Sequence, residues 1–190
     1  MVKLYDLDAY ATEFDAKVVS CEAVTYNKQD VYAVILDRTL FFPEEGGQSP
    51  DKGVINGLEV IDVQIKKDIV THYTKSPIEE GSTVHGIIDW KHRFSNMQQH
   101  SGEHIFSGIV NREYGFNNVG FHLSDNIVTM DFDGVLTSEQ VADVEYKVNE
   151  AITKNIEITA AFPPKAELDA MEYRSKIELD GDVRIVTIPG

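Results

Sequence analysis

The sequence predicts an α+β protein: a small antiparallel β-barrel domain over residues 1–89, then an α+β domain over 90–190 with helices packed on a sheet. Three observations predict this class. Between Lys17 and Asp89, short stretches rich in β-branched residues follow one another, separated by turn clusters. Next, Trp90–Tyr114 places apolar Phe94, Met97, Ile105, Ile109 and Val110 at mixed three- and four-residue steps, the signature of one long, largely packed helix. Beyond it, strand and helix signals alternate, as in a layer of helices on one face of a sheet.

Residues 1–16 read as a short lead-in with one helical turn. The strands of the first domain are VVSCEAVTY, VYAVILD, GLEVIDVQI, IVTHYT and STVHGIID, and NKQD, PEEGGQSPDKG, KKD and KSPIEEG are the turns between them. Short strands at regular spacing favour a small barrel or sandwich. Gly115 stops the long helix, as glycine does past a C-terminus. NNVGFHLS and NIVTMDF follow as a strand pair. Thr137 and Gln140 then open a helix to Asn155 in a capping-box-like pattern, with Val141, Val144, Val148 and Ile152 at helical spacing. IEITAAF reads as a strand, PPKAELDAM as a short helix and VRIVTI as a last strand.

With 190 residues, the chain suits one large domain or two small ones, and 42% apolar residues supply a core. No apolar run is long enough to cross a bilayer, and the acidic N-terminus lacks a signal peptide's apolar centre. Cys21 is the only cysteine, so no internal disulfide forms and the cytoplasm is the expected compartment. The formal charge is −15, from 17 basic and 32 acidic residues, which argues against DNA, anionic membranes and non-specific nucleic-acid binding. A nucleic-acid partner would be gripped locally, by Lys91, His92 and Arg93 or by Arg174 and Lys176.

His100 and His104 are the candidate metal ligands. Four residues apart on a helix, they share a face and can reach one ion. The competing reading is two core or surface histidines that fall one turn apart by chance. Glu103 completes H-x-x-E-H, a pattern in which glutamate serves as general base beside zinc. His72, His85 and His92 are read as structural, as sheet or surface residues. The Gly46-Gly47 pair is first of all a turn signal.

Together, two motifs resemble a known family. Phe41, Phe42, Glu44, Gly46, Gly47, Gln48, Asp51 and Gly53 match an aromatic pair, a glutamate, Gly-Gly-Gln and Asp-x-Gly, and His100 and His104, after Met97-Gln98-Gln99, match H-x-x-x-H. This resembles the editing domain of alanyl-tRNA synthetase and its free-standing AlaX relatives. The resemblance implies zinc-dependent hydrolysis of the ester in tRNA(Ala) mischarged with serine or glycine. It makes His100, His104 and Gln48 the catalytic set. Gly46, Gly47 and Gln48 then lie beside the substrate, with Asn118 and His122 as further partners for its hydroxyl. The family completes its zinc site with C-x-x-x-H after a strand of the VRIVTI kind. Two of four ligands are thus present, and the remainder is expected just past Gly190. On this reading Glu103 points away from the metal. Two rivals stand beside it. One is a zinc peptidase using Glu103 as base with Glu172 or Glu178 as third ligand; the other is a non-catalytic tRNA-binding or regulatory relative.

Overall fold

The structure, a computed structural model, describes residues 1–124, 127–171, 173 and 183–189. The chain divides into two compact units, residues 1–100 with 122–128 and residues 101–121 with 129–190.

The first unit opens with β1 (Val2–Lys3) and a 3-10 turn at Leu4–Asp6, followed by β2 (Glu13–Tyr26), β3 (Gln29–Leu36) and β4 (Arg38–Thr39). Then come β5 (Gly53–Ile55), β6 (Leu58–Lys66), β7 (Ile69–Thr74) and β8 (Thr83–Ile88). Six strands close a barrel in the order β2-β3-β7-β6-β5-β8, and β1 pairs with β4 in parallel beside it. The fourteen-residue β2 serves two neighbours. Glu13–Lys17 pairs with β8, and from Val18 onward the strand pairs with β3. A register shift between Val18 and Ser20 marks the change, as a bulge does where a barrel strand must bend.

Two-residue turns set the hairpin registers. Asn27-Lys28 (φ 49° and 65°), Asn56-Gly57 (48° and 79°) and Lys67-Asp68 (48° and 64°) all lie in the left-handed region. Both central residues at positive φ match the strands' right-handed twist. Strict alternation then sends Phe14, Ala16 and Val18 of β2 and Val84 and Ile88 of β8 inward. There they join Val34, Leu36, Phe41, Val63 and Val70. Gly53 is tied to its place by space, because a Cβ there would collide with the carbonyl oxygen of Ile87.

Helix α1 (Trp90–Tyr114) begins directly after the barrel and runs through the division between the units. The second unit adds β9 (Asn118–Leu123) paired with β10 (Val128–Phe132). It continues with α2 (Ser138–Thr153), β11 (Thr159–Ala161), α3 (Lys165–Leu168) and β12 (Ile185–Thr187), which pairs with β11. Its own core gathers Ile109, Val110 and Val144, with Phe106, Phe116, Phe132, Leu136 and Val148 around them. The capping box at Thr137 forms in full. Its hydroxyl accepts from the Gln140 N–H at 3.2 Å, and its own N–H donates to Gln140 Oε1 at 2.8 Å. Gly115, at φ 73°, donates its N–H to Asn111 and ends α1.

Some expectations need amending. Lead-in residues Val2 and Lys3 pair as a strand with Arg38 and Thr39, which no sequence signal assigned, and β5 (Gly53–Ile55) starts on the last residue of the expected turn PEEGGQSPDKG. IEITAAF is a strand only over Thr159–Ala161. The expected division at residue 89 marks the barrel's last strand, whereas the compact units part between His100 and Ser101. Phe94 is not packed inside; it is 38% exposed and stacks on Trp90. Among the described residues, no helix is long and apolar enough to cross a membrane.

Candidate functional site

Most helices bury an apolar stripe. Helix α1 instead buries Arg93, Asn96, Glu103 and Ser107, together with Ile109 and Val110. With half-buried His100 between Asn96 and Glu103, these polar residues follow one another at helical three- and four-residue steps along one stripe. Polar side chains on a packed face need partners, and each of these has one.

Arg93 anchors the first turn. Its guanidinium holds both carboxylate oxygens of Asp51 and donates to the carbonyls of Leu40 at 2.6 Å and Ala9 at 3.1 Å. Both ends of the pair are sealed from water, with Arg93 3% and Asp51 1% exposed. Asp51 also accepts the Phe42 N–H at 2.6 Å, so one carboxylate ties the glycine-containing loop to the helix. This overturns the reading of Lys91, His92 and Arg93 as a basic grip for nucleic acid. Arg93 is spent inside the fold, and His92 Nε2 lies 2.9 Å from the Pro50 carbonyl. Lys91 alone of the three is exposed; with Lys52, Ser95, Asn96 and Gln99 it lines an open groove beside the first turns of α1. Arg174 and Lys176 lie outside the described residues.

The Gly-Gly-Gln segment folds as a miniature hairpin. Gly46 (φ 61°) and Gly47 (φ 84°) occupy its tip, and Glu45 and Gln48 exchange backbone hydrogen bonds of 3.3 and 3.0 Å. Two consecutive left-handed residues favour glycine at both positions. The Gly47 carbonyl then accepts the Leu123 N–H at 2.8 Å, docking the tip on the end of β9. The result is a fixed, buried Gln48, only 6% exposed, whose Oε1 lies 2.8 Å from His100 Nδ1. With the amide oxygen there, Nδ1 carries the proton and donates it, and Nε2 keeps its lone pair. The two motifs, 52 residues apart in sequence, meet at this hydrogen bond.

One turn on, His100, Glu103 and His104 bring ligand atoms within 4.8 Å of one another. Glu103 is 4% exposed. Its Oε1 accepts from the Ser107 hydroxyl and from Asn118 Nδ2, each at 2.6 Å, and its Oε2 lies 3.4 Å from His104 Nδ1. The expectation that Glu103 turns away is therefore corrected. Residues 100, 103 and 104 share one helix face, and Ser107 and Asn118 pull the carboxylate to the same side. Asn118 also donates to Ser107 Oγ at 2.8 Å and accepts the Gly120 N–H at 3.1 Å. His122 is exposed on β9. Glu172 and Glu178 lie outside the described residues.

The remaining histidines are structural. His72 is fully buried in the barrel, with Nδ1 donating to the Val34 carbonyl at 3.1 Å and Nε2 facing the Thr39 hydroxyl at 2.8 Å. Burial pushes its pKa down to about 4. His85 sits at the surface, and its hydrogen bond to Asp15 at 2.8 Å moves its pKa upward.

Sequence reasoning missed Arg93, Asp51 and Ser107 as site supports. The available signal was the polar stripe on α1, read at the same spacing that identified the histidines.

The family model of class II (A) tRNA synthetases matches residues 5–92. The chain is 33% identical over 204 residues to the alanyl-tRNA editing protein Aarsd1 of Mus musculus, aligning 100% of this chain with 49% of that protein. It is 31% identical over 195 residues to the alanyl-tRNA editing protein AlaX-L of Pyrococcus horikoshii, with 98% of this chain and 47% of that protein aligned. Alanine–tRNA ligase of Ignicoccus hospitalis is 32% identical over 200 residues, which cover 99% of this chain and 21% of the ligase. The chain thus spans about half the length of the curated editing proteins it matches. Across nearly all of its length, the chain is thus similar to alanyl-tRNA editing proteins and to one part of an alanine–tRNA ligase.

Proposed function

We propose that this chain carries the hydrolytic half of a trans-editing protein that removes serine or glycine wrongly esterified to tRNA(Ala), with zinc as its metal. The carrying observation is the 2.8 Å contact between Gln48 Oε1 and His100 Nδ1, which joins the glycine loop to the histidine pair. An enzyme of this kind must present a hydrolysable ester to oriented polar groups, and this contact fixes one of them. The relatives' names support the substrate class.

The donor set suits zinc: two imidazoles on one helix face, with a carboxylate beside them. His100 and His104 are the residues that would hold the ion. A bound zinc would polarise the ester carbonyl or an attacking water. The chain's own residues do the rest. Gln48 holds the proton of His100 on Nδ1, so that Nε2 is presented as a ligand. Gly46 and Gly47 carry no side chain, and a Cβ at Gly46 would meet open space, so the loop tip leaves its backbone accessible to a ribose or aminoacyl group. Asn118 is engaged with Glu103 and Ser107, which makes it a support for the site. His122, exposed on β9, is the stronger candidate for meeting a substrate hydroxyl. The setting we assign is the cytoplasm, among the charged tRNA pool.

Single-turnover release of serine from Ser-tRNA(Ala) tests this reading. It compares this chain with a form extended in its parent frame, each with zinc, and with His100→Ala and His104→Ala in the extended form. Hydrolysis that needs both histidines upholds it. An extended form that leaves the ester intact overturns hydrolysis and leaves tRNA binding as the family role. Peptidase chemistry is separated by Glu103→Ala: a peptidase loses its base at any zinc concentration, whereas editing returns at saturating zinc.

A further inference from the structure

The carboxylate of Glu103 is buried on α1 with its two oxygens committed to different tasks. Oε1 is clamped by two neutral donors, Ser107 Oγ and Asn118 Nδ2, at 2.6 Å each. Those donors are themselves linked at 2.8 Å, and Asn118 is fixed in turn by the Gly120 N–H at 3.1 Å. Such a closed arrangement holds the carboxylate plane in one orientation. It leaves Oε2 as the oxygen that faces Nδ1 of His104, at 3.4 Å. A buried anion is costly unless its lone pairs are used, so a carboxylate kept here points to a role.

We propose that Glu103 is the positioning residue of His104: clamped by Ser107 and Asn118, it keeps the imidazole proton on Nδ1 and so presents Nε2, with its lone pair, as the metal ligand. This rests on the metal reading above. The two histidines are then oriented by different acceptors, a neutral amide oxygen on His100 and an anion on His104. Neutral histidine in water prefers the proton on Nε2, the arrangement that would hide the ligand atom. Each acceptor reverses that preference, and the anionic one also raises the ligand's basicity.

The isosteric variant Glu103→Gln gives the sharpest test. Ser107 and Asn118 both donate, so they select the glutamine's carbonyl oxygen at the Oε1 position. Its NH₂ then stands where Oε2 stood and donates to His104 Nδ1, forcing the proton to Nε2. Long-range ¹H–¹⁵N spectra of the metal-free 190-residue chain at pH 8 read the tautomer of each histidine directly. His104 is expected as Nδ1–H in the unmodified chain and as Nε2–H in Glu103→Gln. His72, whose Nδ1–H is held by Val34 inside the barrel, stays unchanged and reports an intact fold. Zinc titration should show affinity falling by about ten- to a hundredfold in the variant. Ser107→Ala, which removes one donor from Oε1, should weaken zinc in the same direction by less, and it carries the test if Glu103→Gln loses the His72 signal.

An Nδ1–H His104 that persists in Glu103→Gln with unaltered zinc affinity overturns the proposal. So does a Ser107→Ala chain that binds zinc as the unmodified chain does. Failure of the unmodified chain to bind zinc would count against the metal reading alone, because the tautomer comparison is made without metal.

Discussion

His72 and Gln48 show what single side chains contribute when they are wholly enclosed. For His72 the folded pKa is about 4 and the ordinary value 6.5. Above pH 6.5 neither folded nor unfolded chain binds this proton. Between 6.5 and 4 the unfolded chain binds it and the folded chain does not, so stability declines as the pH falls. The shift corresponds to about 3 kcal/mol lost by pH 4. Urea midpoints at pH 7, 5.5 and 4 should follow that slope, and His72→Gln, less stable at pH 7, should lack this share of it. Gln48→Ala removes the acceptor on His100 without touching either barrel or helix core. Zinc affinity should drop by about ten- to a hundredfold while the thermal midpoint moves by only a few degrees. Calorimetric titration with zinc checks the first and a melting curve the second.

Among the elements, α1 depends on a buried charge pair at its first turn. Arg93→Met leaves Asp51 enclosed without a counter-charge, and a loss of about 3–5 kcal/mol is expected in urea denaturation. The double variant Arg93→Met with Asp51→Leu should recover much of that loss while freeing the glycine loop from the helix. Elements whose pattern is local were legible in the sequence. IVTHYT forms β7 from end to end, and the capping box at Thr137 forms as written. The histidine pair was legible for the same reason, since a helix fixes the relation of residues four apart. Arg93 was not. Its partners Asp51, Leu40 and Ala9 lie 42, 53 and 84 residues away, and nothing next to it in the chain separates a buried guanidinium from an exposed one. Ser107 was hidden likewise, and Asn118, read from the resemblance as a substrate partner, was not legible as a clamp on Glu103, because the three meet only once β9 lies beside the helix. The short strands β1 and β4 owe their order to each other and carry no run of their own.

On the scale of the whole molecule, the net charge of −15 limits how the proposed tRNA partner could be held. Arg93 is neutralised internally, and Lys52 and Lys91 line one groove beside Asp89. Few phosphate contacts follow. If the chain binds tRNA(Ala) as proposed, affinity should fall with salt along a shallow slope, about −2 or flatter in log K against log[salt]. Filter binding from 50 to 200 mM KCl measures it, and a much steeper slope would mean a basic surface beyond these two lysines.

The two-neighbour strand β2 has a consequence in time. Its first half meets β8 across a span of 70 residues, as between Asp15 and His85, while its second half meets β3 through a two-residue turn. Hairpins zip early, and a closure over so long a stretch comes late. Helix α1 starts at Trp90, two positions past the end of β8, so its first turn reaches its partner Asp51 only when that closure is made. A newly made chain should therefore acquire its hairpins within microseconds and the contact of His100 with Gln48 last, on the millisecond-to-second scale of barrel folding.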